Sequence, residues 1–170
     1  VVAEAHPWLQ RLYLPQGTSV PQSTLDRFKQ LEELDVTYCW TITNVDFCAA
    51  TLRVLYADDC RNLTSAGLQH ATNLEVLHVA YCQHVTSVSP FAHRLLELRA
   101  FGACGIDSAA LSQVLDASDN DKIDTLRPFA GRLRELHAAM FFVNMNLDDP
   151  SLGDTALAEA THLVKLDVHT

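Results

Sequence analysis

The chain has 170 residues, 48% of them hydrophobic, and its 12 basic and 21 acidic residues give a formal net charge of −9. This is enough apolar material for the core of one domain. The acidic balance argues against nucleic-acid binding, which depends on Lys and Arg neutralising phosphates. The apolar runs fall well short of the roughly 20 residues that a membrane-spanning helix needs, so we expect no membrane partner.

A nine-residue phrase recurs along the chain. It reads LEELDVTYC from Leu31, LRVLYADDC from Leu52 and LEVLHVAYC from Leu74. A fixed period in the twenties is typical of a solenoid in which each repeat is one supersecondary unit. The fourth and sixth places alternate as in a short strand buried on one side, and such strands stack in parallel. The copies of LxxLxL start at Leu9, Leu31, Leu52, Leu74, Leu95, Leu133 and Leu163, at intervals of 22, 21, 22, 21, 38 and 30 residues.

A second shared phrase follows the strand. Cys60-Arg-Asn-Leu63-Thr64 matches Cys82-Gln-His-Val85-Thr86, and Cys39-Trp-Thr-Ile42-Thr43 fits the same frame. Thr before an apolar, Ala-rich run is a helix N-cap signal, because its side-chain oxygen satisfies an orphan backbone N–H. Each repeat is therefore predicted to return through a short helix or turn.

The two phrases resemble the leucine-rich repeat family, whose pattern LxxLxLxxN/C all three copies meet. Cys at the ninth place, followed by xx(I/L/V)T, is similar to the cysteine-containing subclass, which is often found beside F-box segments in the substrate receptors of ubiquitin ligases. Leu95 puts Ala103 rather than Cys104 at the ninth place, and Leu133 puts Phe141 there. The resemblance implies an α/β solenoid with a curved parallel sheet on its concave face and short helices or turns on its convex face.

We expect a single domain over residues 1–170 with about seven repeats. The segments 105–130 and 139–160 are expected to be irregular or longer repeats. By this alignment the chain begins and stops inside a repeat, so we expect a piece of a longer array, or open ends that a partner covers. End-to-end self-association through such ends is one form this would take.

The two irregular segments carry distinctive residues. The acidic run 116–124 is interpreted as a solvated loop or helix end, with a weak cation site as the alternative, because its spacing does not match an EF-hand. The apolar segment 141–147 is interpreted as core, with an exposed binding patch as the alternative.

Alternate strand residues face opposite sides of a sheet, so the third, fifth, seventh and eighth places are expected on the concave face. These places hold tyrosines interleaved with acids, Arg and His, and Tyr and Arg dominate interface hot spots. The alternative interpretation is that they are ordinary sheet residues, since Tyr favours strands. The residues expected to bind a protein partner are Tyr13, Glu33, Asp35, Tyr38, Tyr56, Asp58, Asp59, His78, Tyr81, Arg99 and Phe101.

The cysteines at 39, 60 and 82 are separated by the repeat spacing itself, which stacks them about 4.8 Å apart in a column. Zinc needs a tetrahedral set of ligands, so we expect buried thiols that hydrogen-bond the loop backbone, and no metal or other cofactor. Free thiols indicate a reducing compartment, and the cytoplasm is the expected location.

No catalytic residue is expected. His78 and His137 share the concave face with Asp35, but their repeats are two apart, so the two histidines are about 10 Å from each other. No nucleophile motif or Gly-rich phosphate loop is found in the chain. The sequence therefore favours a non-catalytic protein-interaction module. The alternatives are the substrate-recognition part of an F-box-type ubiquitin ligase, or an architectural spacer in a large cytoskeletal assembly.

Overall fold

The computed structural model describes residue 6 and residues 8–106 in full, and beyond them the backbone of three strands at 114–116, 135–137 and 165–167. These parts of the chain contain eight strands, which form one sheet in chain order with every neighbouring pair parallel. Each turn of the chain thus adds one strand beside the last, which makes the fold a parallel β-solenoid. The strands are β1 (Arg11–Tyr13), β2 (Glu33–Asp35), β3 (Val54–Tyr56), β4 (Val76–His78), β5 (Glu97–Arg99), β6 (Val114–Asp116), β7 (Glu135–His137) and β8 (Lys165–Asp167).

The strands pair at equivalent places of the repeat. Leu34 lies opposite Leu55, Leu55 opposite Leu77, and Leu77 opposite Leu98, and all four side chains are fully buried. A slip of one residue would turn this column of leucines to the other face of the sheet, so its burial sets the register. The predicted parallel sheet is confirmed in the described strands.

The core lies behind the sheet. The first-place residues Leu31, Leu52, Leu74 and Leu95 are fully buried, and Phe91 from a return segment packs among them in one continuous cluster. Burying a leucine side chain stabilises a fold by roughly 2 kcal/mol. Because every repeat contributes the same leucines, each turn supplies the surface on which the next one packs.

The prediction of seven repeats misses one strand. β6 lies inside the segment 105–130, which is expected to be an irregular or longer repeat, and it pairs with β5 on one side and β7 on the other. Its fourth place holds Leu115, but its first place holds Ser112 instead of Leu, so the LxxL pattern does not detect it. Asp116 is therefore a strand residue, while the rest of the acidic run and the segment 139–160 lie outside the described residues.

Two short helices lie in the described return segments, α1 (Gln22–Leu25) and α2 (Ser65–Leu68). The N-cap predicted at Thr64 is confirmed, because its side chain accepts a hydrogen bond from the Gly67 amide at 3.1 Å. The equivalent phrases at Thr43 and Thr86 lead into turns. Within the described residues, no helix is long and apolar enough to cross a membrane.

Helix α2 packs closely on the preceding repeat at Gly67. A Cβ atom at this position would lie 2.1 Å from the Thr43 carbonyl oxygen and 2.8 Å from the Asn44 Cα. The Gly67 carbonyl in turn accepts a hydrogen bond from the Val45 amide at 3.0 Å. Only glycine allows the two backbones to approach in this way.

The predicted cysteine column is confirmed for Cys39, Cys60 and Cys82, which are free thiols in the core. The Cys60 Sγ donates to the Val36 carbonyl at 3.0 Å, and the Cys82 Sγ donates to the Ala57 carbonyl at 3.1 Å. The thiols of Cys60 and Cys82 thus link the loop of their own repeat to the strand end of the repeat before it, whereas the Cys39 Sγ contacts the Thr41 hydroxyl of its own repeat.

Cys104 extends this column, although the alignment puts Ala103 at the ninth place. Gly102 occupies the eighth place with the same left-handed backbone as Tyr81, with φ angles of 65° and 59°. Ala103 is then one additional, exposed residue, and Cys104 is fully buried with its Sγ 3.8 Å from the Cys82 carbonyl oxygen. An insertion in the loop therefore leaves the core position filled.

Candidate functional site

One face of the sheet remains open. In each of β2 to β5 the middle residue is buried and its two neighbours are half-buried, as expected for a strand with one face on the core. The third and fifth places therefore line a common surface, which we call the open face. Across β2 to β5 the third-place row is Glu33, Val54, Val76 and Glu97, and the fifth-place row is Asp35, Tyr56, His78 and Arg99.

A groove of about 320 Å³ runs along the carboxyl end of the open face. Nine of the eleven residues predicted to bind a partner line it, together with Gln16 and Thr37. Glu33 lines a neighbouring depression instead, and Tyr13 lies on β1, where its side chain is exposed. The nine residues are Asp35, Tyr38, Tyr56, Asp58, Asp59, His78, Tyr81, Arg99 and Phe101.

Charged groups on the open face pair across strands. The Arg99 guanidinium Nη1 donates to the Asp58 Oδ2 at 3.1 Å, and the His78 Nε2 lies 2.7 Å from the Glu97 Oε1. The other oxygen of Asp58 accepts a hydrogen bond from the Ala80 amide at 2.8 Å. These contacts hold the polar side chains of β3 to β5 in fixed positions, which lowers the entropy cost of binding.

Aromatic rings surround these pairs. The rings of Tyr56 and His78 meet edge to face with centroids 4.8 Å apart, and those of Tyr81 and Phe101 do so at 5.2 Å. The Arg99 guanidinium lies 4.5 Å from the centroid of the Phe101 ring. The Tyr81 ring nevertheless remains 46% exposed, so it offers a large amphipathic surface to a partner.

The phenol of Tyr56 lies in a negative field. Its pKa is raised, first by partial burial and then by the carboxylates of Glu33, Glu97 and Asp35. The pKa of Tyr13 is raised as well, first by a hydrogen bond with Glu33. Both tyrosines therefore keep their protons at neutral pH and can donate hydrogen bonds.

Asp59 lines the groove but is more buried than the other eighth-place residues there, Tyr38 and Tyr81. Asp59 is 8% exposed, and its Oδ1 accepts a hydrogen bond from the Arg61 Nε at 2.8 Å. Tyr38 and Tyr81 share its left-handed backbone and remain exposed. The difference is physical, because the short carboxylate of Asp59 is covered by the guanidinium while a tyrosine ring is too large to be covered.

Trp40 is an exposed aromatic residue that the sequence prediction misses. Its ring is 55% exposed, lies 5.3 Å from the Arg61 guanidinium, and lines a depression of about 340 Å³ with Gln16, Gly17 and Tyr38. It occupies the tenth place, where the next repeat has Arg61, so strand periodicity gives no signal for it. An aromatic residue directly after the buried ninth-place Cys39 is the pattern that would have identified it.

The buried thiols are not suited to metal binding or nucleophilic chemistry. Burial raises the pKa of Cys48 and of Cys60 to about 12, and it raises the pKa of Cys82 further. Thiolates, rather than thiols, are the metal ligands and nucleophiles. Within the described residues, no group of three or more His, Cys, Asp or Glu side chains could hold a metal ion.

The cross-strand contacts define the geometry of the open face. Its best-defined parts are the groove and the two cross-strand pairs made by Arg99 and His78. Neither a scan against models of known protein families nor a search of curated proteins finds a match for the chain.

Proposed function

We propose that this chain is a leucine-rich repeat domain of the cysteine-containing type. Three sets of observations support the assignment. The first-place and fourth-place leucines of the described repeats from Leu31 onward are fully buried, the thiols of Cys60 and Cys82 hydrogen-bond the preceding repeat, and each strand lies parallel to the next. A protein of this type uses the sheet as a recognition surface and the opposite side as its support.

We infer that the domain acts as a non-catalytic protein-interaction module. This proposal rests on one observation. Nine of the predicted binding residues line a single groove of the open face. Tyr and Arg side chains that are fixed in place yet partly exposed are the residue types that anchor protein interfaces. A groove of about 320 Å³ has room for a few partner side chains, with the rest of the sheet available for additional contact.

We propose no catalysis because the histidine of the groove and the aspartate nearest to it in the repeat pattern, Asp58, are both engaged by neighbouring groups. His78 is held by Glu97 at 2.7 Å, and Asp58 is held by Arg99 at 3.1 Å and by the Ala80 amide. The proposed location is the cytoplasm, because all five cysteines of the chain are free and buried.

A capture experiment with matched variants tests the proposal. The native domain, the double variant Tyr56→Ala/Tyr81→Ala and the control Leu96→Ala are used as baits in a lysate of the source cells, and the retained proteins are identified. Leu96 is an exposed apolar residue outside the groove, so its loss changes exposed apolar area without touching the open face. Circular dichroism melting first shows that all three baits are folded.

We expect proteins that the native domain and the control retain and the double variant does not. Loss of two anchoring aromatic rings at an interface weakens binding by roughly 2–4 kcal/mol, which is a thirtyfold to thousandfold change in affinity. If the three baits retain the same proteins, or none, binding through the open face is wrong.

A further inference from the structure

The acidic side chains of the open face differ in whether they have an ion-pair partner. Toward β3 to β5 the acidic groups have side-chain partners, with the Arg99 guanidinium on Asp58 and the His78 imidazole on Glu97. Toward β2, Glu33 and Asp35 make no ion pair with any described residue. Arg11 lies in register with Glu33 on β1 and lines the same depression, but it makes no ion pair with that carboxylate among the described residues.

Two aromatic rings flank these carboxylates, and the Tyr13 phenol hydrogen-bonds Glu33. Tyr13 is in register with Asp35, and Asp35 is in register with Tyr56, so the carboxylate lies between two tyrosines at the fifth place of adjacent strands. Adjacent strands are about 4.8 Å apart, which puts both rings within reach of a group that touches the carboxylate. The ring of Tyr13 is 54% exposed.

The surroundings suit the side chain of a basic residue. Carboxylates attract its charge, the faces of tyrosine rings attract cations, and an apolar floor accommodates its methylene groups. The third-place residue beside Glu33 is Val54, which is half-buried and provides such a floor. The raised pKa of Tyr56 has the carboxylates of Glu33 and Asp35 among its causes, which shows that their field reaches the ring.

We propose that the open face binds an extended segment of a partner protein that carries a lysine or arginine, with this cationic side chain lying between Tyr13 and Tyr56 against Glu33 and Asp35. The inference rests on the proposed interaction function and specifies its partner. The net charge of −9 adds a long-range attraction for such a segment and speeds its association.

The test uses a random twelve-residue peptide library displayed on phage and selected on the native domain. Enriched peptides are synthesised, and their affinities are measured for the native domain, for Glu33→Gln/Asp35→Asn, and for a control with two neutralised acids elsewhere, Asp26→Asn/Asp46→Asn. Both double variants change the total charge equally. Asn at 35 keeps an oxygen that can accept the hydrogen bond now donated by the Thr37 amide, so the fold is preserved.

We expect enriched peptides to contain Lys or Arg, and we expect Glu33→Gln/Asp35→Asn to weaken their binding about tenfold while the control changes it less than twofold. Replacing the basic residue of a peptide by Gln should cause a similar loss. Increasing the salt concentration should weaken native binding toward the level of the double variant.

Other outcomes separate this inference from the proposed function. Peptides without Lys or Arg that need Tyr81 but bind equally to Glu33→Gln/Asp35→Asn would overturn the basic-partner inference and leave binding through the open face intact. Failure to enrich any peptide, or enrichment of peptides that bind every variant including Tyr56→Ala/Tyr81→Ala equally, would count against both.

Discussion

Arg99 reaches across an entire strand to Asp58. The two residues are 41 positions apart and lie on β5 and just after β3, yet the Arg99 Nη1 is 3.1 Å from the Asp58 Oδ2. The intervening strand β4 is followed at the seventh place by Ala80, whose small side chain is buried and leaves the path open. The contact between Arg99 and Asp58 thus passes over one small residue in the repeat between them.

Removal of the Asp58 carboxylate should weaken this connection. Asp58→Ala is expected to lower the free energy of unfolding by about 1–2 kcal/mol, because the ion pair with the Arg99 guanidinium is lost and the Ala80 amide loses its acceptor. Asp58→Asn should cause a smaller loss in the free energy of unfolding, since the side-chain oxygen of the asparagine still accepts the hydrogen bond from the Ala80 amide. Urea unfolding measures the loss in the free energy of unfolding for both variants. Equal losses would show that the hydrogen bond donated by the Ala80 amide contributes nothing.

Alkaline pH should destabilise the fold through its buried thiols. The pKa of Cys48 and of Cys60 is about 12 in the folded chain, compared with an ordinary value of 9.0. Between pH 9 and 12 the unfolded chain therefore loses these protons while the folded chain keeps them, so stability is full below pH 9 and falls as the pH rises. In this range each thiol lowers the free energy of unfolding by on the order of 1 kcal/mol per pH unit.

Urea unfolding at pH 8 and pH 10.5 measures this effect. The variant Cys48→Ala/Cys60→Ala should be less stable at pH 8 but should lose clearly less stability between the two pH values than the native chain. An identical pH dependence for the two proteins would assign the alkaline sensitivity to other groups.

The N-cap of α2 should contribute measurably to stability. Thr64→Ala removes the acceptor of the Gly67 amide and is expected to cost about 1 kcal/mol. Thr43→Ala is the matched control, because Thr43 occupies the same place of its repeat but leads into turns. Thermal unfolding should give a larger decrease in melting temperature for Thr64→Ala, and equal decreases would contradict the capping role.

Gly67 should not tolerate a side chain. Gly67→Ala puts a Cβ atom 2.1 Å from the Thr43 carbonyl oxygen, so α2 has to move away from the preceding repeat. We expect a loss of about 2 kcal/mol or more in the free energy of unfolding, well beyond the helix-propensity gain of alanine. Chemical denaturation measures the loss, and a stability equal to that of the native chain would show that the two backbones separate at no cost.

The repeating part of this protein can be predicted from the order of its residues. The period, the burial of the fourth-place leucines, the parallel register and the thiol column follow from it, because each depends on one residue type recurring at one place. Thr64 was predictable as a cap for a similar reason, since an N-cap is a contact between residues three positions apart.

Departures from the repeat become visible in the folded chain. The repeat that contains β6 has Ser112 in place of the first leucine, and the strands on both sides of β6 bring it into the sheet. The burial of Asp59, the exposure of Trp40 and the pairing of Arg99 with Asp58 depend on side-chain size and on contacts between repeats. A periodic pattern indicates which face of the sheet a residue lies on. These features depend instead on which neighbouring side chains cover the residue. Those neighbours come from other turns, so they are in place only when the turns stack.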